Sequence, residues 1–258
     1  MSLNAIWSEG RAALNGWLSI PDGFASEVMA HQGWDTLTID MQHGIVDYAY
    51  AVRMLTAIST TQVVPIVRVP WLDPGIVMKV LDAGALGVIC PMINSAEDAE
   101  IFTSALRYAP RGRRSFGPIR ANLAHGADYP KRADDLVTGF AMIETRAALD
   151  ALDAILAVPE LDAIYIGPAD LALSLGAEPR FDPVDPVVTG PIEHILARAK
   201  HHGKRAGIHT GSASYARAMV EKGFDFVTIG SDARFMAAGA ARAVADFRNV
   251  GNDVKIAY

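Results

Sequence analysis

Gly139-Phe140-Ala141-Met142-Ile143-Glu144-Thr145, and further on Ala163-Ile164-Tyr165-Ile166-Gly167-Pro168-Ala169-Asp170, are the two stretches that decide the fold. Each begins as a short apolar run suited to a buried strand and leads into a helix-like segment. Each also delivers a carboxylate: Glu144 closes the first run, and Asp170 follows the Gly-Pro-Ala turn after the second. A carboxylate at the carboxyl end of one strand, repeated on the next, is where a parallel barrel puts its chemistry. Hard divalent cations such as Mg²⁺ or Mn²⁺ take oxygen ligands of this kind.

Working outward, the same alternation runs along the whole chain. Strand-like runs fall at Leu14–Ile20, Thr36–Met41, Val63–Val69, Gly87–Met92, Phe140–Thr145, Ala163–Gly167, Arg205–His209 and Phe226–Gly230. Helix-like stretches lie between them, among them Tyr48–Ser59, Gly75–Ala83, Ala96–Tyr108, Ala147–Ala157, Ile192–His202 and Tyr215–Lys222. An Ala-rich helix, Phe235–Phe247, follows the last strand. Alternating strands and helices imply right-handed βαβ units and a parallel sheet. Eight such units in 258 residues predict a single α/β domain over residues 1–258, a closed (β/α)8 TIM barrel. No strand leads into a G-x-G-x-x-G turn, which weighs against a dinucleotide-binding sheet. Two insertions interrupt the rhythm. Pro110 to Gly139 carries Arg111-Gly112-Arg113-Arg114 and His125 and reads as a functional or intersubunit loop. Ala177 to Pro191 reads as a surface excursion.

Composition narrows the function. With 51% apolar residues the chain is not disordered, yet no apolar stretch approaches a membrane span. The first residues have neither a basic nor an apolar signal region, so no signal peptide is expected. A net charge of -6 leaves no basic footprint for nucleic acid. Cys90 is the only cysteine, which excludes an internal disulfide and suits a reducing cytoplasm. It reads as a small buried hydrophobe rather than a nucleophile.

Polar side chains recur where the strands end: Asp40 and His43 after the second, Arg68 on the third, Glu144, Asp170 and then His209. Each has a structural alternative. Asp40 could cap a helix, His43 could be structural, Arg68 could pair with Glu144 or Asp40, and Asp170 could be an N-cap. Their coincidence on one rim favours an active site. None of the lysines (Lys79, Lys131, Lys200, Lys204, Lys222, Lys255) sits in a strand run, so Schiff-base chemistry is disfavoured and metal activation preferred.

Several segments in order resemble the HpcH/HpaI family of metal-dependent, class II pyruvate aldolases. They include Thr38-Ile-Asp-Met-Gln-His-Gly44, Pro65-Ile-Val-Arg-Val-Pro70, Met142-Ile-Glu-Thr-Arg146 and Ile166-Gly-Pro-Ala-Asp-Leu-Ala172, and the likeness runs from about Leu14 to Phe247. The resemblance implies a TIM barrel whose final helix is exchanged between subunits of a hexamer or trimer. It implies a carbon–carbon lyase acting on pyruvate or a similar 2-keto acid and an aldehyde, with Mg²⁺, Mn²⁺ or Co²⁺ as cofactor. Glu144 and Asp170 match the metal ligands, and Arg68 the arginine beside the keto acid. His43 and Asp40 match a His–Asp dyad, and Asp82 an acidic residue given to a neighbouring subunit's site. Gly167, Pro168 and Ala169 match the segment holding the substrate carboxylate, with Trp17 near the pocket mouth. The chain departs from the family at Met142, where many members have glutamine, and at Gln42, where many have glutamate. His209 stands where relatives often carry an apolar residue, which suggests a different acceptor aldehyde or a structural role. The rival readings are an acyl-CoA lyase using the Arg111–Arg114 run, a phosphate-binding barrel using Gly211-Ser212 and Gly230-Ser231, and a barrel that binds a metabolite without turnover.

Overall fold

A computed structural model describes residues 2–248. The eight predicted runs are the strands of one closed parallel barrel, paired in chain order. They are β1 Ala13–Leu18, β2 Thr36–Asp40, β3 Val64–Arg68, β4 Gly87–Cys90, β5 Thr138–Ile143, β6 Ala163–Ile166, β7 Arg205–Thr210 and β8 Phe226–Ser231. The helices are α1 Leu3–Ser8, α2 Gly23–Ala30, α3 Tyr48–Ile58, α4 Pro74–Asp82, α5 Ala96–Leu106, α6 Ile119–His125 and α7 Tyr129–Leu136. They continue as α8 Arg146–Asp150, α9 Leu152–Leu156, α10 Pro168–Ser174, α11 Pro186–His201, α12 Ala213–Lys222 and α13 Asp232–Arg248. Short polar side chains start many of them: Asp47, Ser95, Thr145 and Ser212 each accept a backbone N–H of the helix that follows.

The strands are buried on both faces, as parallel strands covered by helices must be. Leu37, Ile39, Val67, Val88, Ile164, Ile208 and Val227 point outward into the layer shared with the helices. The alternate residues, including Trp17, Ile66, Ile89, Phe140, Met142, Tyr165 and Phe226, fill the barrel. Asp40, Arg68, Gly167 and His209 continue this inward phase to the carboxyl ends of their strands, which is why they share one mouth.

The Pro110–Gly139 insertion lies at the opposite end. It forms α6 and α7, and with α1 it closes the amino-terminal end of the barrel through Leu3, Ile6, Trp7, Ala121, Tyr129 and Ala133. Two arginines of its Arg111–Arg114 run are spent on structure: Arg114 meets Asp82 at 2.7 Å and Tyr129 Oη at 3.0 Å, and Arg111 pairs with Asp134 and Glu160. The Ala177–Pro191 excursion is also more than surface. Phe181 from it reaches the mouth, and α11 begins at Pro186 and carries Pro191 within it. No helix among the described residues is long and apolar enough to cross a membrane. The tail with Lys255 lies outside the described residues.

Candidate active site

The mouth holds a cavity of about 500 Å³ lined by Trp17, Asp40, His43, Arg68, Met142, Tyr165, Gly167, Pro168, Ala169, Asp170 and His209 among others. Ser19 to Pro21, Phe181 and Arg234 complete its upper wall. No lysine lines it.

Asp40 and Arg68 face each other from adjacent strands, at the register pair closing β2 and β3. Arg68 donates Nε to Asp40 Oδ1 at 2.8 Å and Nη2 to Oδ2 at 2.6 Å. The Trp17 indole donates to Oδ2 at 3.1 Å, and the backbone N–H groups of Gln42 and His43 donate to Oδ1 at 3.0 and 3.3 Å. Burial works to raise the Asp40 pKa, but the bonds and charge of Arg68 outweigh it and hold the carboxyl below its usual range. The guanidinium also lies over the Trp17 ring, 4.7 Å from its centroid. One edge of Arg68 is therefore clamped, while Nη1 has no hydrogen-bond partner among the described residues. The expected His43–Asp40 dyad takes a different form. Asp40 is saturated, it reaches His43 through the backbone amide only, and the imidazole stands exposed on the rim. Trp17, expected near the mouth, lines the cavity there as a buried wall at 3% exposure.

Glu144 is buried and extends one step beyond β5. Its Oε1 accepts the Met92 N–H at 2.9 Å, and Met92 holds a left-handed φ of 57° to point that N–H inward. Such a conformation costs a β-carbon residue on the order of 1–3 kcal/mol and concentrates at functional sites. Oε2 lies against Gly167, where an added Cβ would come within 2.6 Å of it. Burial, with Asp170's negative charge adding to it, pushes the Glu144 carboxyl up to about 7, against the pull of the Met92 bond and Arg68. Asp170 is exposed in the first turn of α10 and caps nothing, since the N-cap is Gly167. A buried carboxylate with one hydrogen bond, beside a second carboxylate and with no salt-bridge partner among the described residues, is a donor set that fits a divalent ion. No group of three or more His, Cys, Asp or Glu gathers as a metal site among the described residues. Two carboxylates with remaining positions left to water and substrate is nonetheless the habit of Mg²⁺.

His209 lines the cavity with its ring edge-on to Trp17, 4.9 Å between centroids, and 5.2 Å from Phe181. Burial, reinforced by the positive charge of Arg68, pushes its pKa down to about 3. Asp82 is not in this cavity; it ends α4, whose carboxyl end lies at the closed end of the barrel, paired with Arg114. Gly211 N–H, a candidate phosphate donor, is already taken by Asp182 at 2.7 Å, and Ser212 caps α12. Cys90 is fully buried, its pKa raised chiefly by burial. Met92, Tyr165 and Phe181 escaped the sequence reading: the first two lie inside apolar runs, and the third lies in the excursion.

A closed parallel barrel with paired carboxylates and a clamped arginine at its carboxyl-end mouth has the build of a barrel lyase. The chain belongs to the HpcH/HpaI aldolase/citrate lyase family, which residues 17–238 match, and it is an aldolase, a carbon–carbon lyase. It is 46% identical over 242 residues to a hydroxypyruvate/pyruvate aldolase of Rhizorhabdus wittichii, covering 94% of this chain and 96% of that one. It is 33% identical over 241 residues to a 4-hydroxy-2-oxo-heptane-1,7-dioate aldolase of Salmonella dublin, covering 92% and 91%. A solved HpcH/HpaI aldolase/citrate lyase family protein from Burkholderia cenocepacia aligns with a TM-score of 0.85 at 31% identity, covering 92% of this chain and 95% of that one.

Proposed function

We propose that the protein reversibly joins pyruvate, or a similar 2-keto acid, to an aldehyde with the help of a divalent metal, Mg²⁺, Mn²⁺ or Co²⁺. The observation that carries this reading is the Glu144–Asp170 carboxylate pair, which has no salt-bridge partner among the described residues: Asp170 and the half-engaged Arg68 line the mouth, and Glu144 lies against its Gly167 wall. Glu144 and Asp170 would hold the metal, which when bound supplies Lewis-acid polarisation of the keto acid. Arg68, fixed by Asp40, keeps Nη1 for the oxygen that becomes negative as the methyl proton leaves, a preorganised charge. Gly167, Pro168 and Ala169 open α10 and present its amino-terminal end to the substrate carboxylate. His43 on the rim is the proton shuttle, working with solvent rather than with the Asp40 carboxylate, and Trp17 and His209 wall the acceptor's side.

Asp82 can serve a mouth only in trans, as a residue lent to a neighbouring subunit, because its own mouth lies at the other end of the barrel. The exchange of α13 between subunits of a hexamer or trimer belongs to the same reading. Phe235, Met236, Val244 and Phe247 of that helix are exposed at 41, 60, 49 and 89%. The lone buried cysteine fits a cytoplasmic setting.

The test is exchange of pyruvate methyl protons in D₂O, followed by NMR. Exchange should stop with a chelator and return on adding a divalent cation. Full exchange by metal-free protein, or by both Glu144→Gln and Asp170→Asn, would sink the reading.

A further inference from the structure

Behind the mouth, the barrel interior carries a polar relay that the proposed reaction leaves unused. Asn15 Oδ1 lies 2.7 Å from Thr36 Oγ1 and 3.0 Å from Thr38 Oγ1. Asn15 Nδ2 lies 2.9 Å from Thr228 Oγ1. Thr228 Oγ1 lies 2.7 Å from Tyr165 Oη, and Tyr165 Oη lies 3.1 Å from His209 Nδ1. Asn15, Thr36, Thr38, Tyr165 and Thr228 are all fully buried, so each hydroxyl hydrogen must find its acceptor within the protein.

Only one direction of donation satisfies them all. Thr36 and Thr38 have no acceptor except the Asn15 oxygen, which turns the Asn15 amide N–H toward Thr228. Thr228 Oγ1 receives that bond, and its own hydrogen then has Tyr165 Oη as its acceptor. Tyr165 in turn donates to His209 Nδ1. Reversing the last two steps strands the Thr228 hydrogen, and flipping the amide strands the hydrogens of Thr36 and Thr38.

We infer that the relay holds His209 as the tautomer with a bare Nδ1 and a proton on Nε2, and that this N–H selects acceptor aldehydes bearing a neutral second oxygen, such as a hydroxyl. The selection rests on the aldolase reading; the tautomer does not. His209 lines the cavity and is only half-buried, and no described residue bonds its Nε2. Burial and the Arg68 charge keep the ring uncharged, so it offers one N–H and not a cation. Trp17 and Phe181 supply apolar walls around that single donor. An acceptor lacking the oxygen leaves the N–H unpaired in a dry site. Thr228 and Asn15 act through Tyr165 and are positioning residues.

Long-range ¹H–¹⁵N correlation on ¹⁵N-histidine-labelled wild-type protein reads the tautomer directly. A pyridine-type Nδ1 and a pyrrole-type Nε2 are expected for His209; a protonated Nδ1 overturns the relay. Thr228→Val should mix the two tautomers and Thr228→Ser should restore one. Kinetically, the ratio of kcat/KM for glycolaldehyde over acetaldehyde, with pyruvate as donor, should fall about 10-fold in His209→Leu. It should fall in Thr228→Val and recover in Thr228→Ser. A ratio unchanged in both His209→Leu and Thr228→Val overturns the selection. Methyl-proton exchange of pyruvate, which needs no acceptor, is run alongside: its absence in wild type removes the aldolase reading and leaves the tautomer result standing.

Discussion

His209, half-buried in the cavity wall, ties stability to pH, and replacing it by leucine should remove that dependence. In the folded protein its pKa falls from the ordinary 6.5 to about 3, because burial and Arg68 both oppose the charged ring. The unfolded chain protonates this histidine as the pH drops through 6.5, while the folded protein resists down to 3. Between those limits the unfolded state binds more protons, so stability falls as the pH falls. At pH 5 the unfolded side gains about 2 kcal/mol from this one group, taking 1.36 kcal/mol per pKa unit. At pH 8 the histidine is neutral in both states and the contribution vanishes. Urea unfolding of wild type and His209→Leu, at one protein concentration and at pH 8 and pH 5, isolates the effect, because every other titrating group is common to both. The wild type should lose about 2 kcal/mol relative to the variant on going to pH 5. A stability difference independent of pH would refute the reasoning.

Four further outcomes follow from the mouth. Glu144→Gln and Asp170→Asn should each lower Mn²⁺ affinity, measured calorimetrically, by at least the ~10–100-fold that weaker outer contacts cost, with an unchanged circular dichroism spectrum. Gly167→Ala should weaken the same binding, because its Cβ would lie 2.6 Å from Glu144 Oε2 and push that carboxylate aside. Arg68→Ala should lose keto-acid affinity and also destabilise the protein by about 3–5 kcal/mol in urea, since Asp40 is left as an unpaired buried carboxylate. His43→Ala should slow pyruvate proton exchange by about 10²–10⁴-fold while keto-acid affinity holds; equal rates would remove it from proton transfer.

The strands were legible because each is a short apolar run closed by turn residues, and all eight lie where the runs predicted them. Helices with a broad apolar stripe, such as α3 and α12, were equally plain. Short helices were not: α6 and α7 hide in an insertion whose glycines and charges read as loop, and α2 carries little amphipathic signal. Pro191 suggested a break, yet α11 runs through it. At the site, Glu144, Asp170, Arg68 and Asp40 could be picked out because strand ends advertise themselves in a parallel barrel. What each residue touches could not. The binding of Asp40 to Arg68 rather than to the His43 imidazole depends on register, and a strand buried on both faces shows no polar alternation from which register could be read. Tyr165 looked like one more apolar residue for the same reason.

The polar layer within the barrel bears on how this chain chooses its shear. Slipping a strand by one residue would exchange its two faces, but both faces here are apolar enough to tolerate much of that. Slipping by two residues preserves the faces altogether, so aliphatic packing alone discriminates poorly between neighbouring barrels. Asn15 settles the matter: it stands level with Thr36 on one side and Thr228 on the other. A two-residue slip of β1 would set Asn15 level with Thr38 and Gly230 or with Trp34 and Phe226, stranding buried hydroxyls of the layer at about 1–3 kcal/mol each. A handful of hydrogen bonds thus serves as the alignment key for the whole cylinder, and every strand end that meets at the mouth inherits its height from that key.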